Sequence, residues 1–263
     1  MTKAELTYCL IVPHFNHVSA LAEFLPTLTS LGLPCVVVDD GSDAENYAQL
    51  QDLLQAHPAI HLFAHQQNRG KGAAVTTACT HARSLGFTHG IQIDADGQHD
   101  VADVKQFIAV SQAHPEALVS GHPQFDDSAP KARLYGRKVT DFWVALETWS
   151  LKIKDSLCGF RVYPLTQFEQ VADRFHIGTH MDFDTDIMVK SVWLGVPVKF
   201  VPTKVIYHKN SVSHFHYLRD NMLLISLHTR LMLGMLLRSP CLAVRRVKAL
   251  FVAKSVASAT QQR

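Results

Sequence analysis

The stretch that most constrains this chain is Gly90–Asp100, GIQIDADGQHD. Here apolar Ile91 and Ile93 alternate with Gln92 and then give way to Asp94, Asp96, Gln98, His99 and Asp100. The alternation predicts a short strand, and the abrupt change puts charge where that strand meets a loop. In an open α/β sheet, ligands bind at the carboxyl ends of strands, because the loops there project into a crevice between helices. Two carboxylates one residue apart, with a side-chain amide two further on, are hard oxygen donors. They suit a six-coordinate Mg²⁺ or Mn²⁺ that keeps positions for phosphate oxygens. The stretch reads as a candidate metal-diphosphate site, although an isolated Asp-x-Asp is more often a polar turn, so its setting must decide.

The setting repeats the pattern. Tyr8–Val12 is an apolar run closed by Pro13, a first strand, followed by the polar loop His14 to His17. Leu21, Ala22, Leu25 and Leu28 mark one helical face, which Gly32 ends. The Val-rich run Cys35–Val38 suits a parallel strand covered on both faces, and it too ends in charge, at Asp39, Asp40 and Asp43. A helix over 46–56 and a strand over 60–64 follow. Asn68-Arg69-Gly70-Lys71-Gly72 then opens a helix to about Leu85. Its glycines let backbone approach a ligand, and a helix N-terminus beside Arg69 and Lys71 attracts negative charge. The spacing is not that of a Walker loop. This half of the chain therefore reads β-α-β-α-β-α-β, one nucleotide-binding half of an α/β fold.

The C-terminal end differs in charge from the rest. Residues 204–263 carry ten Lys or Arg and one acid, Asp220, whereas residues 1–203 carry 15 basic and 22 acidic residues. A basic end points to a polyanionic partner. Leu and Met dominate it where Arg, Gly and aromatics would be expected, which argues for an anionic membrane surface and against nucleic acid. From Tyr217 to Leu237 the apolar run is broken by Arg219, Asp220, His228 and Arg230. It falls short of the roughly 20 uncharged residues of a bilayer span, so it is expected to lie on a membrane without crossing it. Pro240 is expected to interrupt this helix, and the basic, apolar stretch 242–252 to continue as a second one. The alternative is a helical hairpin packed on the rest of the chain or on a partner subunit. The five scattered cysteines suit reduced core thiols in a cytoplasmic protein, and no signal peptide is visible.

Val12-Pro13-x-x-Asn16, Asp39-Asp40-Gly41-Ser42, Asn68-x-Gly70-x-Gly72-Ala73 and Asp94-Ala95-Asp96-Gly97-Gln98-His99 occur in an order that resembles the family 2 glycosyltransferases. The likeness is greatest to the dolichyl-phosphate mannose synthase branch and its bacterial relatives. Gly136-Arg137, Asp155-x-x-Cys158-Gly159-Phe160-Arg161-x-Tyr163 and Phe183-Asp184-x-Asp186 extend it over roughly residues 7–217. The resemblance implies a GT-A fold, a Rossmann-like, mainly parallel sheet flanked by helices. It also implies inverting transfer from a UDP- or GDP-sugar; together with the basic, Leu-rich end of the chain, the expectation is a lipid or lipid-linked acceptor and an enzyme peripheral on the inner face of the cytoplasmic membrane.

By that resemblance Pro13 and Asn16 line the nucleoside pocket, Asp39 or Asp40 accepts a hydrogen bond from the base or ribose, Arg69 or Lys71 assists at the diphosphate, and Ala95 and Arg137 belong to the donor site. Asp94, Asp96 and Gln98 hold Mg²⁺ or Mn²⁺; apart from the resemblance, His214 is a candidate to complete that site or contact the diphosphate, the alternative being a structural histidine. Asp184 and Asp186, at the start of a helix, either complement the helix dipole or act on the acceptor, with Asp184 the general base for a hydroxyl and Asp186 supporting it or contacting the acceptor; an ionised phosphate acceptor needs no base. Asp155 and Arg161 lie over the donor sugar or form a structural ion pair. Cys158 reads as packing, since inverting transfer forms no covalent intermediate. The chain departs from the family in carrying His17 where Glu is common, and His122-Pro123 where Arg usually follows Ser120-Gly121. Arg133, Arg137 and Arg161 remain as a candidate anion-binding set.

The expected organisation is a catalytic domain over 1–217, amphipathic membrane-associating helices over 218–254 and a flexible tail over 255–263, with homo-oligomerisation left open. Two other classes stay open. A sugar nucleotidyltransferase would carry a Gly-rich N-terminal loop, and Thr7–Asn16 has no glycine. A non-catalytic membrane or sugar-binding module would leave the carboxylates without a role.

Overall fold

The computed structural model of the chain describes residues 5–94, 100–125, 131–205 and 217–261; the side chains of 132, 133, 217–220 and 245–261 are outside that description. Seven strands form one sheet in the order β3-β2-β1-β4-β6-β5-β7. In chain order they are β1 (Tyr8–His14), β2 (Cys35–Asp39), β3 (Ile60–Ala64), β4 (His89–Gln92), β5 (Leu118–Gln124), β6 (Arg161–Pro164) and β7 (Val198–Lys204). The helices are α1 (Val18–Thr29), α2 (Ala44–Gln55), α3 (Lys71–Ser84), α4 (Val104–Ala113), α5 (Lys131–Thr148), α6 (Leu165–Arg174), α7 (Phe183–Leu194) and α8 (Tyr217–Gln261).

The first four strands pair in parallel, so their carboxyl ends lie at one edge of the sheet. Side chains alternate across it. Cys9, Ile11, Val36 and Val38 pack under α3, α6 and α7, while Leu10, Val12 and Val37 pack under α1 and α2. Strand β1 continues through Pro13, where the sequence predicts its end. The proline is tolerated because the pairing of β1 with β4 ends at Ile11 and Gln92, before Pro13 is reached. Strand β6 runs antiparallel between β4 and β5, with Arg161 opposite both Gln92 and Ser120. That register carries an arginine into the middle of the sheet.

Helix α8 is continuous through Pro240 and past Ser255, where a break and then a tail are expected. Proline removes the amide that the carbonyl of Leu236 would have accepted, and the Ser239 hydroxyl donates to that carbonyl at 2.8 Å instead. Residues Asn221–Val244 are long and apolar enough to cross a membrane by length and composition, contrary to the expectation that this stretch falls short, because the helix runs on through Pro240 and adds apolar residues beyond Leu237. Leu227, Leu231, Met235 and Leu242 nonetheless face inward into the core, and the helix docks on α5 and α7.

Candidate active site

Glycine governs how closely the loops at the sheet's carboxyl edge can pack. Gly70 has φ +98°, and a Cβ there would lie 2.3 Å from the carbonyl oxygen of Thr179. A Cβ on Gly72 would meet the Phe183 side chain at 2.5 Å. The start of α3 is thus pressed against the segment leading into α7, which no side chain at these positions would allow. This close approach brings Lys71, the first residue of α3, to Asp94 just past β4. Lys71 Nζ donates to Asp94 Oδ2 at 2.7 Å and lies 3.7 Å from Asp184 Oδ2 at the start of α7.

Arg161 supports this group from inside the sheet. It is fully buried; its Nη1 donates to the Asp184 carbonyl at 2.7 Å and lies 3.8 Å from Oδ1, and its Nη2 donates to the Ser156 carbonyl at 2.8 Å. Asp155 takes a different partner from the one that the spacing suggests. It pairs with Arg137 of α5, and its Oδ1 accepts the backbone N–H groups of Leu157 and Cys158 at 2.9 and 2.7 Å. These bonds shape the loop that delivers Gly159, where a Cβ would lie 2.9 Å from both Asp94 Oδ2 and Lys71 Nζ. Asp155 therefore organises a wall of the site. Cys158 is buried, and burial pushes its thiol up to about 12, so it is un-ionised at neutral pH and packs, in keeping with its expected role.

A second cluster ties the first three loops together. His14 Nδ1 lies 2.8 Å from Asp39 Oδ1, and the backbone N–H and hydroxyl of Ser42 donate to Asp39 at 2.9 and 2.5 Å. Burial alone would raise the Asp39 carboxyl, but these bonds outweigh it and hold the group below its usual range. Asp40 accepts the backbone N–H groups of Arg69 and Gly70 at 3.0 and 2.7 Å, and its Oδ1 lies 2.7 Å from His65 Nδ1. Both carboxylates are turned inward in this arrangement. Asn16, at φ 50°, accepts the Asp43 N–H at 3.0 Å, while the side chain of Arg69 is exposed and Pro13 is half-buried.

Asp186 stands apart from the Lys71 group. Its Oδ2 accepts the Gly178 N–H and the Lys190 ammonium, each at 2.7 Å, which anchors the segment before α7. Of the expected metal ligands only Asp94 is among the described residues; Asp96, Gln98 and His214 lie outside them, as do Ala95 and His99. Among the described residues no three acidic, histidine or cysteine side chains gather in a way that could hold a metal ion.

Three contacts escape the sequence reading. Asp141, one helical turn after Arg137, has its carboxyl pushed up to about 6 by burial and by Asp155, with Arg137 opposing. Its i, i+4 spacing from Arg137 is the only sign of it in the sequence. Arg230 of α8 donates to Asp182 at 3.1 Å, and His228 Nδ1 lies 2.8 Å from the wholly buried Glu147 of α5. No local pattern links those positions.

A family model described as glycosyl transferase family 2 matches residues 9–172. The chain belongs to this family. One relative, the dolichyl-phosphate beta-glucosyltransferase ALG5A of Trichomonas vaginalis, is 24% identical in a 221-residue alignment that covers 76% of this chain and 66% of that protein. Another, the UDP-N-acetylglucosamine–dolichyl-phosphate N-acetylglucosaminyltransferase of Methanococcus voltae, is 21% identical in a 226-residue alignment that covers 80% of this chain and 90% of that one. These names bear out the dolichyl-phosphate branch that the motifs resemble. The chain spans 51% of a further relative, ALG5C of T. vaginalis. Among solved structures, glucosyl-3-phosphoglycerate synthase from Mycobacterium tuberculosis in complex with UDP superimposes with TM-score 0.63 at 15% identity, covering 90% of this chain and 81% of that one. Another structure of that synthase, with Mn²⁺, UDP-glucose and phosphoglyceric acid, gives 0.59 at 13% identity, over 89% and 80% of the two chains. The fold of this family 2 member is GT-A, as expected.

Proposed function

We propose that this chain is an inverting, divalent-metal-dependent glycosyltransferase that moves a sugar from a nucleoside-diphosphate sugar to a lipid or lipid-linked acceptor. It works at the inner surface of the cytoplasmic membrane. The observation that carries the proposal is the meeting of Lys71, Asp94, Asp184 and Arg161 beside the N-terminus of α3. Lys71 and the two carboxylates lie at a helix end that favours anions, and the buried Arg161 supports Asp184 from within the sheet. The dolichyl-phosphate relatives support a lipid-linked acceptor, and the UDP in one relative's name supports a uridine donor.

In this reading the diphosphate lies against the start of α3, with Lys71 and Arg69 toward its oxygens. Pro13 and Asn16 line the nucleoside pocket; Asp39 and Asp40 shape it from behind by fixing the loops. Asp94, with Asp96, Gln98 and His214, would hold Mg²⁺ or Mn²⁺; its hard carboxylate oxygen suits such an ion, and a neighbour of the same fold is in complex with Mn²⁺. The bound ion would supply charge stabilisation to the departing diphosphate. An acceptor oxygen attacks the anomeric carbon from the face opposite the diphosphate. The new C–O bond forms as the old one breaks, and the electron pair leaves with the nucleoside diphosphate. Asp184 takes the proton if the acceptor is a hydroxyl and orients the acceptor if it is an ionised phosphate. Arg161 holds Asp184 in place, while Asp186 and the Asp155–Arg137 pair keep the surrounding walls in position.

Incubation of the purified chain with UDP- and GDP-sugars, Mn²⁺ and either a polyprenyl phosphate or a polyprenol tests this. The expected result is transfer to the phosphate, abolished by EDTA, and only a modest loss of rate in Asp184→Asn. A loss of about 10³-fold in that variant with a hydroxyl acceptor would instead make Asp184 the base. Folded protein that neither transfers nor hydrolyses any donor would overturn the proposal.

A further inference from the structure

Helix α5 belongs to the catalytic domain, yet it is apolar on the wrong side. Its inward face carries Thr140, Val144, Glu147 and Thr148, all buried. The opposite face presents Tyr135, Val139, Phe142, Trp143 and Leu146 to solvent. Their spacing, i, i+4, i+7, i+8 and i+11, makes one continuous stripe. The stripe runs on into the turn after the helix, where Trp149 (φ 50°) and Leu151, 92% exposed, continue it. Scattered apolar residues on a surface need no explanation, but a contiguous aromatic stripe does.

The charge on this segment is sorted as well. Between 131 and 154, among the described side chains, the exposed charges are lysines, Lys131, Lys138, Lys152 and Lys154. The two acids turn inward: Glu147 is wholly buried against His228, and Asp141 is half-buried beside Arg137 and Asp155. Helix α8 repeats the arrangement. It carries no Asp or Glu after Asp220, and Met222, Ile225, Leu233, Leu236 and Leu237 are exposed on the side away from its docked face. The two helices meet at a cleft of about 380 Å³ lined by Leu146, Trp149 and Leu151 from one side and Met232 and Met235 from the other.

We infer that α5, the 149–151 turn and α8 form one surface that seats in the headgroup region of an anionic bilayer leaflet, with the cleft between them receiving a lipid hydrocarbon chain. The catalytic domain then contacts the membrane directly and is not merely tethered by its C-terminal helix. Aromatic rings with polar edges favour that depth, and the exposed lysines meet the anionic headgroups. A second copy of the chain would be an uncharged apolar match for the stripe, but it would bring like-charged lysines together. The inference gives the lipid-acceptor reading its geometry: Arg137 lies on α5 between Tyr135 and Val139, so the Arg137–Asp155 wall of the site is one helix from the leaflet.

The chain has three tryptophans, and the third, Trp193, is buried. Tryptophan fluorescence of the full chain is read on phosphatidylcholine/phosphatidylglycerol vesicles with brominated acyl chains. In the Trp149→Phe and Trp143→Phe variants the remaining surface tryptophan is quenched, and in the double variant, which reports Trp193, quenching is absent. The Val139→Ser, Phe142→Ser double variant weakens vesicle binding at least about tenfold. It leaves UDP binding and thermal unfolding as in the wild type. Unquenched Trp143 and Trp149 on vesicles that do bind the chain would overturn the inference, as would a dimer in sedimentation that the same double variant dissolves. Loss of UDP binding by the wild type would count against the transferase reading alone.

Discussion

The carboxyl edge of β1–β4 and the outer face of α5 and α8 handle charge in opposite ways. At the edge, acids and bases are kept next to one another: Asp39 with His14 and Ser42, Asp40 with the Arg69–Gly70 backbone, Asp94 and Asp184 with Lys71. On the outer face the acids are withdrawn into the protein and the apolar groups are shown. Polar groups that must hold a charged ligand need partners that fix their positions before the ligand arrives. A surface that meets lipid needs the reverse, because an exposed carboxylate would repel anionic headgroups and an unpaired one in an apolar layer is costly.

Glycine substitutions sharpen this contrast most. Gly70→Ala strains a left-handed residue and drives a Cβ into the Thr179 carbonyl. It is expected to cost about 3 kcal/mol in urea unfolding and to abolish donor binding. Between the regions, His228→Ala leaves Glu147 buried without its partner. Burial already raises that carboxyl, with His228 opposing, so protonation softens the penalty. Calorimetry is expected to show a loss of about 2 kcal/mol, restored in the His228→Ala, Glu147→Gln double variant.

Asp141 gives a smaller effect with a defined sign. Its folded value of about 6 lies above the ordinary 3.8, so across that interval the folded protein keeps a proton that the unfolded chain has lost. Its stabilising contribution is full below pH 3.8 and is lost as pH rises through about 6. Allowing for solvent screening of a half-buried group, Asp141→Asn is expected to gain about 1 kcal/mol on the wild type at alkaline pH and little in acid. A parallel pH dependence of the two proteins would contradict this. Gly136 on α5 closes the series, since a Cβ there meets nothing within 4 Å. Gly136→Ala is expected to stabilise by about 0.5 kcal/mol, the opposite sign to Gly70.

The same contrast explains what was legible in the sequence. Strands β1–β4 and the loops after them can be read because apolar runs end in charge within a few residues. The family motifs on those loops bring Lys71 and Asp94 into view, and a further motif at the start of α7 adds Asp184. Partner choice is another matter. Asp155 and Arg161 are six apart and look like a pair, but β6 carries Arg161 into the sheet toward Asp184 and leaves Asp155 to Arg137. Nothing in a four-residue strand says that it runs antiparallel. Asp186 repeats the problem: it sits two residues from Asp184, which on a helix turns it to another side, toward Lys190 and Gly178. The α5 stripe is visible as periodicity, but periodicity identifies an apolar face without saying what covers it. Pro240 misleads for a local reason, because the Ser239 hydroxyl replaces the missing donor.

The central claim is that Asp94 and its neighbours bind a nucleoside diphosphate through a divalent ion. Isothermal titration of UDP and GDP, with and without Mn²⁺, against the wild type and an Asp94→Ala, Asp96→Ala double variant tests it most directly. The account predicts Mn²⁺-dependent binding of one nucleotide by the wild type, and at least about 10²-fold weaker binding by the double variant with its fold intact. Equal binding by both proteins, or none by the folded wild type with either nucleotide, would contradict it.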